Sequence, residues 1–171
     1  KNSNLSLVDF TNTAATAWYV NRLTRMRDEV GLDSFKFLAL YEDVELADPD
    51  AFVRAYVQMA NEFGDMVEIS TATGVQAESP FVSMWDRQTE WTGSEAMDTV
   101  IPTLLQMNII GYPFVLPDII GGNEYDDDLL TEEMFVRWVQ LTVFMPVMQF
   151  SRPPWIFSHE VGAEPFCYTY G

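Results

Sequence analysis

The sequence predicts an α/β fold, a partial (β/α)₈ TIM-type barrel with about four to five βα units of parallel sheet. Short, continuously apolar segments alternate with amphipathic helical segments, which indicates βαβ units and a sheet buried on both faces. An open, doubly wound sheet is the alternative, but no glycine-rich phosphate loop follows any predicted strand. A complete barrel takes about 250 residues, so 171 residues predict a partial one.

The first predicted element is a helix over residues 13–30. Its apolar residues are spaced by four, three and four positions and share one helical face, and Gly31 follows as the C-terminal glycine. These residues are Tyr19, Leu23, Met26 and Val30. Residues 34–40 then form a short apolar run, which predicts a buried strand.

The second helix has the clearest start signal, because Asp48 supplies an N-cap side chain and Pro49 fits the first helical position. The same four-three-four spacing continues to Gly64, where we expect the helix to end. The residues with this spacing are Phe52, Tyr56, Met59 and Phe63. Strands are predicted at 66–70 and 81–85.

The remaining elements repeat this alternation. Residues 93–110 predict a helix that Pro102 kinks or restarts, and 112–117 predict a strand. A helix starts at Thr131, and Pro146 is expected to stop it before a last strand at 147–151. The apolar face of that helix comprises Met134, Trp138, Leu141 and Met145.

The net charge of −17 disfavours nucleic acid and anionic membrane surfaces as partners, since both carry negative charge. A neutral ligand such as a sugar is compatible with it, and so is a simple role in solubility. No run of 18 apolar residues predicts a membrane span. Cys167 is the sole cysteine, so no intrachain disulfide can form. The cysteine count does not indicate a cellular compartment.

Candidate catalytic residues stand where predicted strands end, the edge at which parallel α/β folds gather their chemistry. The first strand runs into Glu42 and Asp43, the third ends at Asp86, and the fourth ends at Asp118. The last predicted strand ends at Gln149, Ser151 and Arg152. Several strand-end carboxylates suit acid and base work on a glycosidic bond. A strand-end Asp can equally cap the next turn, and Arg87 beside Asp86 can form a structural ion pair.

Other chemistries have weaker support. His159 is the sole histidine, so a catalytic triad would have to include it, and a structural zinc site lacks ligands. The acidic run 126–128 lacks the ligand spacing of a calcium loop. We therefore expect no metal and no cofactor. Trp85 and Trp91 flank Asp86 and are candidate sugar-stacking side chains, whereas Trp155 fits a core role as well.

Several segments, in order along nearly the whole chain, resemble glycoside hydrolase family 31. They are 8–12 (VDFTN), 33–37 (DSFKF), 81–91 (FVSMWDRQTEW), 111–123 (GYPFVLPDIIGGN), 144–151 (FMPVMQFS) and 153–155 (PPW). The resemblance implies a (β/α)₈ catalytic barrel that hydrolyses α-glycosides with retention. It also implies that Asp86, five residues before Trp91, is the acid/base, and that Asp118 hydrogen-bonds the sugar.

Two positions depart from the family pattern. The family's nucleophile is the Asp after Lys-Phe, and here Leu38 follows Lys36 and Phe37. An Arg expected three residues before the acid/base is Ser83. Three explanations stay open: a truncated or mis-spliced glycosidase, a degenerate relative that still binds sugar, or an enzyme that uses Glu42 or Asp43 instead.

The predicted function is therefore that of a retaining α-glycosidase, inactive if Leu38 has removed the nucleophile. The alternative is a non-catalytic sugar-binding or interaction protein derived from one. We expect residues 1–171 to be a fragment of a single glycoside-hydrolase catalytic barrel, with an α-glycoside as partner. Open sheet edges in such a fragment favour self-association.

Overall fold

A computed structural model describes residues 7–38, 46–70, 72–78, 80–123 and 130–150. Four helices and four strands follow the predicted order. They are α1 (Thr13–Val30), β1 (Lys36–Phe37), α2 (Pro49–Asn61), β2 (Glu68–Ile69), β3 (Phe81–Ser83), α3 (Val100–Ile109), β4 (Val115–Leu116) and α4 (Glu132–Thr142). Short 3₁₀ turns lie at Gln76–Glu78 and Met97–Thr99.

The strands form one sheet in the order β1-β2-β3-β4. β1 and β2 pair in parallel, with Phe37 opposite Ile69, and β2 pairs in parallel with β3. The amides of Val82 and Met84 donate to the carbonyls of Phe114 and Leu116, at 2.9 and 3.0 Å, which extends the same parallel ladder to β4. The parallel sheet and the interleaved helices confirm the predicted partial α/β barrel.

The chain divides into two compact units. The first comprises residues 1–83 and 108–115, and its described core is an aromatic cluster between β1 and α2. All four predicted core residues of α2 are buried there, and Phe37 packs against Tyr56 and Phe63 with ring centroids 6.2 and 5.8 Å apart. The predicted apolar face of α2 is confirmed.

The second unit comprises residues 84–107 and 116–171. Its described core contains Trp138 of α4, which is fully buried, together with Leu116 and Ile120. The amide of Ile120 donates to the Gln149 carbonyl at 2.8 Å, and Ile120 and Phe150 form a parallel bridge. The predicted last strand at 147–151 is therefore a single bridge in the described residues, and Ser151 lies outside them.

Helix starts follow the sequence signals closely. The Asp48 carboxylate accepts a hydrogen bond from the Ala51 amide at 3.0 Å, and the Thr131 hydroxyl accepts one from the Met134 amide at 3.3 Å. Gly31 adopts the left-handed conformation and ends α1 as predicted. α2 ends at Asn61, three residues before Gly64, and α4 ends at Thr142, before Pro146.

The apolar stripe predicted on α1 lies at the surface, because Tyr19 and Leu23 are half-buried while Met26 and Val30 are exposed. One helix start was predicted wrongly. The helix predicted from residue 93 begins at Val100, because the preceding segment folds into a turn in which the Gln88 amide donates to the Glu95 carbonyl at 2.7 Å. Pro102 lies in the first turn of α3, where a missing N–H costs nothing.

Candidate active site

The candidate site lies in the second unit, where the chain leaves β3 and β4. The chain after β3 carries Trp85, Asp86 and Arg87, and the chain after β4 carries Asp118. The bond from the Met84 amide to the Leu116 carbonyl fixes the register of the two segments. Parallel pairing brings both strand ends to one edge, so both aspartates stand at the same edge of this unit.

Asp118 is a buried carboxyl group, with 4% of its surface exposed. Its Oδ2 accepts a hydrogen bond from the Arg87 amide, and the Ile119 amide donates to the carboxylate as well. Burial raises the pKa of Asp118 from 3.8 to about 6, against the lowering effect of these two amides. The negative charge of Asp86 raises this pKa further, so the two carboxyl groups are close enough to interact.

Asp86 has the opposite environment, since its side chain is exposed. Its Oδ2 accepts a hydrogen bond from Nδ2 of Asn123 at 2.6 Å. One carboxyl group is thus exposed to solvent and the other is buried and protonated in part near pH 6. Two neighbouring carboxyl groups in such different environments are typical of sites that divide acid and binding roles between them.

Arg87 ties the two strand ends together. It is buried, and its guanidinium donates to the Trp85 carbonyl at 2.8 Å and to the Thr103 hydroxyl at 3.0 Å. The guanidinium is therefore bound to a carbonyl and a hydroxyl, and the ion pair with Asp86 suggested by the sequence is not formed among the described residues. Thr103 belongs to α3, so this contact anchors the end of β3 to a helix.

The loop after β4 lies directly against the chain after β3. The Thr89 hydroxyl donates to the Gly121 carbonyl at 2.8 Å, and the Asn123 amide donates to the Arg87 carbonyl at 2.6 Å. Gly122 has φ +77°, and a Cβ there would lie 2.9 Å from the carbonyl carbon and oxygen of Gln88. A glycine is required at this position both by the left-handed backbone and by the close approach.

The two predicted stacking residues are accessible. Trp85 is 63% exposed and Trp91 is 41% exposed, so neither is a core residue. An indole ring that remains in contact with solvent can stack on the apolar face of a sugar. Trp91 also fixes the turn before α3, because its carbonyl accepts a hydrogen bond from the Asp98 amide at 3.3 Å.

Leu38, which the family resemblance assigns to the nucleophile position, belongs to the first unit. Leu38 directly follows β1, and its side chain is 60% exposed. Two positions before it, Lys36 forms an ion pair with Glu68 of the neighbouring strand, with 2.7 Å between Nζ and Oε1. A leucine side chain contains no group that could act as a nucleophile.

Several candidate residues lie outside the described residues: Glu42, Asp43, Asp126, Asp127, Asp128, Ser151, Arg152, Trp155, His159 and Cys167. Within the part of the chain that the structure describes, no group of three His, Cys, Asp or Glu side chains could hold a metal ion. No helix in the same part is long and apolar enough to cross a membrane.

The sequence placed both aspartates at strand ends but did not indicate the contacts around them. Arg87, Thr103 and Thr89 make their contacts across 16 to 32 residues of sequence. Asn123 belongs to the segment 111–123 that carried the family resemblance, yet its side chain had no assigned role. The adjacent pair Gly121-Gly122 was the one sequence signal that a close backbone approach occurs here.

Parallel strands that alternate with helices and carry carboxyl groups at their ends are typical of the (β/α)₈-barrel class of enzyme domains. The chain belongs to glycosyl hydrolase family 31, since the model of the TIM-barrel domain of that family matches residues 1–163. The resemblance seen in the sequence is thereby confirmed.

The relatives include the branch of this family that the sequence resembles. The chain is 35% identical to the myogenesis-regulating glycosidase of Mus musculus, over 92% of this chain and 24% of that protein. It is 32% identical to the SITS-binding protein of Tetronarce californica, over 88% of this chain and 23% of that protein. The chain is also 28% identical to an alpha-xylosidase of Emericella nidulans, over 91% of this chain and 22% of that protein. The chain thus spans about a quarter of the length of these curated relatives.

Proposed function

We propose that the ends of β3 and β4 form the proton-donating and sugar-holding part of a retaining α-glycosidase site. Asp86 is the acid/base, Asp118 accepts hydrogen bonds from sugar hydroxyls, and Trp85 and Trp91 stack against the sugar. The observation that carries the proposal is the contrast between an accessible Asp86 and a buried, neighbouring Asp118 with a pKa of about 6.

The environment of each carboxyl group suits its proposed role. The accessible Asp86 can reach the oxygen of a bound glycosidic bond, to which it would give its proton as the bond breaks. Asp118 is held in place by backbone amides, so its free lone pairs have fixed directions, as hydroxyl recognition requires. The net charge of −17 favours a neutral sugar over an anionic one.

Retention requires a second carboxylate about 5–5.5 Å from the acid/base, which forms a bond to the anomeric carbon. The family resemblance assigns Leu38 to the nucleophile's place in the sequence, and a leucine side chain has no lone pair to give. We therefore expect hydrolysis by this chain to be slow or absent.

The direct test is hydrolysis of aryl α-galactosides and aryl α-glucosides by the chain. Turnover that disappears in Asp86→Asn would support an active retaining glycosidase. Absence of turnover in the wild type would rule out that activity for this chain and leave the binding function as the remaining candidate.

The second candidate is a protein that binds α-glycosides without hydrolysing them, and the exposed Leu38 is the observation that favours it. Titration calorimetry would then detect saturable binding with no product, and the binding would weaken in Asp118→Ala. Failure to bind any α-glycoside would exclude this function.

We also propose that residues 1–171 are part of a single catalytic barrel. The basis is the presence of four parallel strands in the described residues of a chain whose family has an eight-stranded domain.

We propose in addition that the chain associates with itself through open sheet edges. Gel filtration tests this: a dimer or larger species supports it, and a compact monomer contradicts it.

A further inference from the structure

Asn123 makes a short hydrogen bond to the proposed acid/base, in which its Nδ2 donates to Oδ2 of Asp86 at 2.6 Å. The backbone of the same residue is fixed independently. Its amide donates to the Arg87 carbonyl at 2.6 Å, and Asn123 forms a parallel bridge with Gln88. The side chain therefore acts on Asp86 from a backbone that is itself bound to the residue after Asp86.

The approach of Asn123 depends on Gly122. The Gly122 amide donates to the Ile119 carbonyl at 2.9 Å, which closes a tight turn after Asp118. The left-handed φ of +77° and the 2.9 Å from an added Cβ to the Gln88 carbonyl exclude other residues. The two glycines before Asn123 thus bring the loop close enough for the side chain to reach Asp86.

We propose that Asn123 is a positioning residue that sets which oxygen of Asp86 carries the transferable proton. The proposal rests on the role of Asp86 proposed above. A side-chain amide N–H can only donate, so Oδ2 must act as an acceptor and the proton is left on Oδ1. Among the residues that the structure describes, Oδ1 of Asp86 receives no hydrogen bond, so it is available to a leaving group.

The proton transfer can be isolated by supplying a nucleophile from solution. Azide, added as its sodium salt, would form the C1–N bond while the C1–O bond breaks. The leaving aryl oxygen takes the electron pair of that bond and the proton of Asp86. The products are a glycosyl azide of inverted configuration and a phenol, and Asp86 is left as a carboxylate.

Comparing two leaving groups separates positioning of the acid from general damage to the fold. Dinitrophenolate leaves without a proton, whereas phenolate needs one. We expect Asn123→Ala to slow azide transfer from the phenyl α-glycoside by about 10- to 100-fold and transfer from the dinitrophenyl α-glycoside by less than about twofold. Asp86→Ala should also slow transfer from the phenyl α-glycoside more than transfer from the dinitrophenyl α-glycoside, and by a larger factor than Asn123→Ala does.

Asn61→Ala is the matched control, because it removes a side-chain amide that donates to the Glu78 carbonyl at 3.2 Å in the first unit. It should change neither rate. Equal slowing of both substrates by Asn123→Ala, or no slowing of either, would overturn the positioning role. If Asp86→Ala slows both substrates equally or neither of them, the proposed role of Asp86 as the acid is itself contradicted.

A second measurement decides the proposal when azide gives no product. In the NMR spectrum of the wild-type chain, one side-chain amide proton of Asn123 should show the downfield shift of a hydrogen-bonded N–H, and that shift should disappear in Asp86→Ala. Retention of the shift in Asp86→Ala, or its absence from the wild type, would contradict the hydrogen bond on which the inference depends.

Discussion

The side chains after β1 and those after β3 and β4 differ in burial and in hydrogen bonding. After β1, Leu38 is 60% exposed and the adjacent polar contact is one ion pair, Lys36–Glu68. After β3 and β4, Asp118 is buried and bound by the Arg87 amide, and Asp86 is bound by Asn123.

This difference has a consequence for stability. An exposed side chain after a strand contributes little to stability, so a replacement at Leu38 should leave the fold intact. The groups around Asp118 also bind the backbone, so changing them affects the loop that follows β4.

The largest expected effect is a gain of hydrolysis when the departures from the family pattern are reversed. Leu38→Asp combined with Ser83→Arg should raise the initial rate on aryl α-glycosides by about 10³-fold or more, because a nucleophile supplies effects of that size. Leu38→Asp alone should change stability by no more than about 0.5 kcal/mol, because Leu38 is exposed. Leu38→Ala is the control, and a similar gain in that variant would contradict the interpretation.

In the other region, Gly122→Ala should destabilise the chain by about 2–4 kcal/mol, from left-handed strain together with the contact with Gln88. Urea unfolding measures this loss. Gly31 has almost the same φ of +76° but nothing within 4 Å of an added Cβ, so Gly31→Ala should cost only about 1 kcal/mol. Equal losses in the two variants would show that the contact with Gln88 has no energetic effect.

Asp118→Asn should stabilise the chain at pH 7.5 by about 1–3 kcal/mol while weakening sugar binding. Because the pKa of Asp118 is about 6 when folded and 3.8 ordinarily, the folded chain holds the extra proton between about pH 4 and 6. The stability contributed by this group is complete below pH 4 and is lost as pH rises through 6. Asn is neutral throughout, so the variant should lose this pH dependence. Thermal unfolding from pH 4 to 8 measures it.

The exposed Asp65 provides the control for that experiment. Asp65→Asn makes the same replacement at the surface, so the pH dependence that Asp118→Asn removes should still be measured in this variant. If Asp118→Asn keeps the wild-type slope of stability against pH, that slope arises from the titration of another group.

The smallest effect is expected at the ion pair beside Leu38. Lys36→Met should cost at most about 1 kcal/mol, less at high salt, because the side chain of Lys36 is 40% exposed. The fully solvated pair Arg25–Glu29 is the comparison, and Arg25→Met should have almost no effect. If Lys36→Met lost much more free energy of unfolding than Gly122→Ala, the end of β1 would be held more firmly than the ends of β3 and β4, contrary to the expectation.

Local signals predicted the helices where a few neighbouring residues determine the structure. Asp48-Pro49 predicted the start of α2, and Gly31 predicted the end of α1, because N-caps and left-handed glycines act within a single turn. The apolar stripe of α1 specified a face but not what covers it, and no residue of α1 is buried. The start of α3 was missed because bonds between residues 88–91 and 95–98 compete with the helix.

The sequence by itself determined the alternation of strands and helices and the family, because these follow from residue types at fixed spacings, and it placed one aspartate after β3 and another after β4. Only the tertiary structure decided that Asp118 is buried and Asp86 accessible, that Arg87 binds Trp85 and Thr103, and that Asn123 reaches Asp86. Burial, and hydrogen bonds between residues as far apart in sequence as Asp86 and Asn123, depend on which backbones come together, and no local pattern of side chains specifies that pairing.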